Sequence, residues 1–93
     1  MTKAELIEKI SGKTGVGKIE VSACVEAFME EVINSLTVEK EDVFLRGFGS
    51  FIVKHRAAKT AQNITKKTTM VIPEHDIPAF KPADEFVKIV RGE

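Results

Sequence analysis

The chain has 93 residues, 43% of them apolar and 30% charged, with 14 Lys plus Arg balanced by 14 Asp plus Glu, one Cys and no Trp or Tyr. That length argues for a single domain, residues 1–93, and the composition excludes disordered, collagenous and disulfide-built chains. The lone Cys suits a reducing compartment, and no apolar run nears the roughly 18 residues of a membrane span, so a cytoplasmic protein without a membrane partner is expected.

Thr2-Lys3-Ala4-Glu5 fits a capping box, in which a hydroxyl at the cap and a carboxylate three residues later satisfy orphan amide donors. A helix should begin there, with Leu6, Ile7 and Ile10 on its apolar stripe and Gly15 at its end. A second helix is expected from Lys18, where Val21, Cys24, Val25, Phe28, Val32 and Leu36 recur at helical spacing. Together they make a helical hairpin over 2–37, and Cys24 on its stripe reads as an inert core thiol.

Beyond the polar turn Thr37 to Asp42 the residue types change. Val43-Phe44-Leu45 and Phe48 to Val53 are β-branched and aromatic, which predicts two strands joined through Arg46-Gly47. The sheet and arm are expected over 43–80. Past Lys54 the large apolar residues give way to bases, so this half cannot line a core. Thr68 to Ile72 resumes strand character, which makes Gln62 to Lys67 the tip of a long hairpin arm spanning 54–73. Pro73 and Pro78 restrict their strand to an edge or to bulged positions, and Pro82 suits the first turn of a last helix over 82–91, with Phe86, Val87, Ile89 and Val90 on its buried side.

The zero net charge conceals a segregation. Residues 1–42 hold five bases against nine acids, residues 43–73 hold Arg46, Lys54, Arg56, Lys59, Lys66 and Lys67 with no acid, and residues 74–93 hold three bases against five acids. Surface segments normally mix both signs, so this middle segment is the footprint of a polyanion partner. Without the arm about 70 residues remain, a size at which one core is marginal, so two chains should share a core as an obligate homodimer.

The order and spacing of Gly47-Phe48-Gly49-Ser50-Phe51, Lys54, Arg56, Lys59, Asn63 and Ile77-Pro78-Ala79-Phe80-Lys81-Pro82 resemble the HU and integration host factor family of bacterial histone-like DNA-binding proteins. The resemblance spans essentially the whole chain. It implies an α+β fold: an N-terminal helical hairpin, a three-stranded antiparallel sheet with a protruding β-ribbon arm, and a short C-terminal helix in an intertwined homodimer. It further implies nucleoid-associated protein that binds double-stranded DNA through the minor groove and bends it, largely independently of sequence. A heterodimer with a paralogous chain stays open. So do a site-specific member of the integration host factor type and a dimeric scaffold with weak or no DNA binding.

Matched position by position, the family's arm cations fall on Lys54, Arg56 and Lys59, and its Asn before the tip on Asn63. Lys54 and Arg56 share a strand face, whereas Lys59 is out of phase, which predicts an irregularity near Ala57-Ala58. Gln62 stands where the family usually has Arg, and it can still hydrogen-bond in the minor groove. Ile64 replaces the family's wedge Pro and is itself a side chain able to intercalate. Lys66 and Lys67 add charge at the tip, and Arg46, Lys3 and Lys81 are weaker contacts. Asp84 stands where the family often has Lys.

Phe28, Phe44, Phe48, Phe51 and Phe80 lie in apolar context and are expected in the dimer core rather than stacked on bases. His55 and His75 lack ligand spacing for a metal and read as ribbon residues, His55 facing away from DNA. With no phosphate loop, no nucleophile beside a base and no paired carboxylates, neither an enzyme nor a cofactor or small-molecule substrate is expected.

Overall fold

The computed structural model describes residues 1–63 and 68–93, leaving aside the side chains at 61–63 and 68. It is an α+β chain of two compact units, Met1–Glu39 and Lys40–Glu93.

The first unit is helical. α1 (Lys3–Thr14) opens on Thr2, whose hydroxyl accepts from the Glu5 amide at 3.2 Å, and closes on Gly15 at φ 79°, a left-handed conformation that costs a Cβ-free residue little. α2 (Lys18–Asn34) runs into a π-helical turn, Ser35–Glu39, where the Thr37 hydroxyl donates to the Ile33 carbonyl at 2.7 Å. An apolar groove of about 450 Å³ lies between α1 and α2, lined by Leu6, Ile10, Val21, Val25 and Phe28, with Cys24 on its wall. Cys24 is therefore exposed here, contrary to the buried position its helical spacing suggests. The stripe is present, but nothing in this chain's first unit covers it.

The second unit is built on the antiparallel sheet β1 (Val43–Leu45), β2 (Gly49–Arg56) and β5 (His75–Pro82), in the order β1-β2-β5. Gly47, at φ 80°, makes the β1–β2 turn, closed by the Phe48 amide donating to the Leu45 carbonyl at 2.9 Å. Pro78 and Pro82 sit in β5, an edge strand of this sheet, where a missing amide donor costs no ladder bond. β3 (Lys59–Asn63) pairs with β4 (Thr68–Ile72) as a separate two-stranded ribbon.

α3 (Asp84–Arg91) starts two residues beyond Pro82, which remains in β5 opposite Gly49. The Ala83 amide donates to the Phe48 carbonyl at 2.9 Å and holds the chain extended through that point. Phe86 then stacks on Phe48 with ring centroids 5.3 Å apart, and Phe80 lies 5.2 Å from Phe48 and 5.0 Å from Phe51. Ile89 and Val90 were expected on the buried side of this helix, yet each is 74% exposed.

Only Val21 and Leu36 are buried apolar residues among those described. Phe28, Phe44, Phe48 and Phe80 are all exposed. The apolar periodicity is thus real, but a single chain does not bury it.

Candidate nucleic-acid interface

The cations of the arm's root are placed by strand geometry. β2 and β5 pair from Gly49↔Pro82 to Arg56↔His75 without slippage. Directly opposed residues in an antiparallel pair share a face, and neighbours along a strand alternate. Lys54 (opposite Ile77) and Arg56 (opposite His75) therefore share one face, while Val53 (opposite Pro78) and His55 (opposite Asp76) share the other.

Lys54, Arg56 and Lys59 are exposed, and among the described residues none of them is in an ion pair. Their charges are available to a partner. The neighbouring carboxylates are engaged on the opposite face: His55 Nδ1 lies 2.8 Å from Asp76 Oδ1, and its Nε2 lies 3.2 Å from Glu74 Oε2. These contacts, Asp76 first and Glu74 second, hold the His55 pKa above its ordinary value of 6.5, slightly opposed by desolvation.

On the cationic face, His75 Nδ1 lies 2.9 Å from the Pro73 carbonyl oxygen. A carbonyl only accepts, so that nitrogen carries the proton and Nε2 is left for a further contact.

The irregularity expected near Ala57-Ala58 is present in a different form. Pairing stops after Arg56↔His75 and resumes at Lys59↔Ile72, with two residues omitted on each strand. It is a symmetric break and not a one-residue bulge. Pro73, lying in the gap, cannot donate a ladder bond.

Gln62 and Asn63 pair with Thr69 and Thr68 along the outer ribbon, whereas Ile64, Lys66 and Lys67 lie outside the described residues. Arg46 is in the β1–β2 turn, and Lys81 is opposite Ser50 in the sheet. Both line one open pocket of about 360 Å³ that also contains Asp84. Lys3 belongs to the helical unit and forms an ion pair with Glu26. The contacts of His55 with Glu74 and Asp76, and the place of His75 beside Arg56, are features that spacing along the chain did not bring out. Among the described residues no group of His, Cys, Asp or Glu could hold a metal ion, and no helix is long and apolar enough to cross a membrane.

The family model for bacterial DNA-binding proteins matches residues 1–91. The DNA-binding protein HU of Thermotoga maritima is 37% identical over 91 residues, covering 98% of this chain and 100% of that protein. Integration host factor subunit beta of Marinobacter nauticus is 37% identical, over 92% of this chain and 88% of its own length. Among solved structures, that of Anabaena HU crystallised with DNA superposes with a TM-score of 0.92 at 31% identity, covering 100% of both chains. The chain therefore belongs to the HU and integration host factor family of bacterial DNA-binding proteins, a family defined by DNA binding rather than by catalysis.

Proposed function

We propose that this protein is an architectural DNA-binding protein that works as a dimer, binding and bending double-stranded DNA with two basic β-ribbon arms. The observation that carries this reading is the two-faced arm root, with Lys54 and Arg56 exposed and, among the described residues, in no ion pair on one face, and the nearby acids engaged by His55 on the other. Such a surface attracts phosphate without reading bases, so affinity comes mainly from counterion release and DNA deformation. Asn63 and Gln62 are minor-groove contacts, and Lys59, Lys66 and Lys67 continue the phosphate path. Ile64 is the wedge, and Arg46, Lys81 and Lys3 are peripheral contacts. The exposed Phe28, Phe44, Phe48 and Phe80, with Phe51, form a core shared by two chains, and both units of residues 1–93 belong to one DNA-binding domain. The protein acts without catalysis, cofactor or small-molecule substrate, in the cytoplasm on the nucleoid.

The test is a titration into a mixed-sequence duplex labelled at both ends, read by anisotropy for binding and by energy transfer for bending. Binding at low salt with a shortened end-to-end distance is expected, and Ile64→Ala should reduce the bend more than the affinity. A duplex that stays straight when bound would refute the architectural role, and a scaffold that had lost DNA affinity would not bind at all.

A further inference from the structure

His55 makes two contacts that a neutral imidazole cannot satisfy together. Its ring nitrogens face Asp76 Oδ1 and Glu74 Oε2 at 2.8 and 3.2 Å, and ionised carboxylates only accept hydrogen bonds. A neutral ring carries one N–H, so one contact becomes acceptor against acceptor, whereas the imidazolium donates to both. The three residues span the place where the ribbon is weakest. Asp76 is the cross-strand partner of His55 in the root sheet, and Glu74 lies in the two-residue break between β4 and β5.

We propose that His55 is a positioning residue of the arm: as an imidazolium gripped by Asp76 and Glu74, it pins the break to the root and shields both acids from DNA, so that DNA affinity rises when His55 takes up its proton. This rests on the reading that the arm binds DNA. Two effects share that direction. The clamp orders the segment from which the outer ribbon departs, and protonation removes one net negative charge from each arm root. From β5 and the break, the charged groups on the His55 face are Asp76 and Glu74, and β2 adds none there because its same-face neighbours are Phe51 and Val53. Lys54, Arg56 and His75 occupy the opposite face. Of these His75 is the other imidazole of the arm root, opposite Arg56, so it must be controlled. The raised pKa of His55 puts its transition higher than that of an ordinary His.

The experiment measures affinity for a mixed-sequence duplex from pH 5.5 to 8.5 at fixed salt, alongside the His55 ring resonances of the DNA-free protein. Wild type should lose affinity by about fivefold as pH rises through the His55 transition, the effect of one surface charge on each arm. His75→Gln should retain that loss, Glu74→Gln with Asp76→Asn should move it to lower pH together with the His55 transition, and His55→Lys should bind at the low-pH level throughout. A pH step that survives in His55→Gln, or that vanishes in His75→Gln, overturns the proposal while leaving DNA binding intact. Failure to bind duplex at any pH would instead refute the function itself. In that event an unshifted His55 transition in the free protein would show that no clamp exists either.

Discussion

Replacing Lys54 and Arg56 together by Ala tests the proposed DNA-binding face most directly, because their effect on salt dependence can be worked from the geometry. Both are exposed and unpaired among the described residues, so their loss should change folding stability by no more than about 0.5 kcal/mol. With Lys59 they offer three cations per arm, or about six phosphate contacts in a dimer, which gives a slope of log affinity against log salt near −5. The double variant removes four of these and should bring the slope to about −2. Between 50 and 200 mM salt, wild type would lose roughly a thousandfold in affinity and the variant only roughly tenfold. Lys66 and Lys67 would steepen both slopes equally, so the difference of about 3 is the quantity that matters. Anisotropy titrations at four or five salt concentrations measure it. Parallel slopes would mean that these side chains do not reach phosphate, whatever the change in absolute affinity.

Gly49→Ala and Gly47→Ala should separate steric from conformational cost. A Cβ on Gly49 would lie 2.6 Å from the Lys81 carbonyl oxygen and 2.5 Å from the Phe80 ring, so denaturant unfolding should show a loss of about 3 kcal/mol. At Gly47 a Cβ meets nothing within 4 Å, and only the positive φ opposes it, which costs about 1 kcal/mol; equal losses would refute the distinction. If two chains share the core, the thermal midpoint should rise with protein concentration, and a midpoint constant over a hundredfold dilution would refute the dimer. The His55 clamp also predicts a sign for stability against pH. Because its folded-state pKa is raised above 6.5, its stabilisation is fully present below that ordinary value and is lost as pH rises through the higher one. Unfolding curves of wild type and His55→Gln should therefore diverge below neutrality and converge in alkali.

Features decided within a few residues were legible in the sequence. The Thr2 cap and the Gly15 terminus follow from hydroxyl and glycine chemistry at a helix end, and the acid-free run from Arg46 to Lys67 needs no folding to be recognised. The placement of Lys54 with Arg56 on one face, and of His55 on the other, also followed from the period of a strand. What spacing could not supply was the register. Folding the arm about the middle of 62–67 puts His55 opposite Glu74, whereas the observed pairing sets it opposite Asp76 and leaves Glu74 within reach in the break. A shift of the tip by one residue moves every partner by two, so only the assembled ladder from Gly49↔Pro82 onward determines which acids meet the histidine. The same distinction governs the core. The apolar stripe through Cys24 and Phe28, and the pair Ile89 and Val90, are written in the chain, but whether they are covered depends on surfaces brought together from far apart. The tertiary structure shows that, among the described residues, Val21 and Leu36 are the buried apolar side chains. Periodicity names a face that wants burial, and only packing determines what provides it.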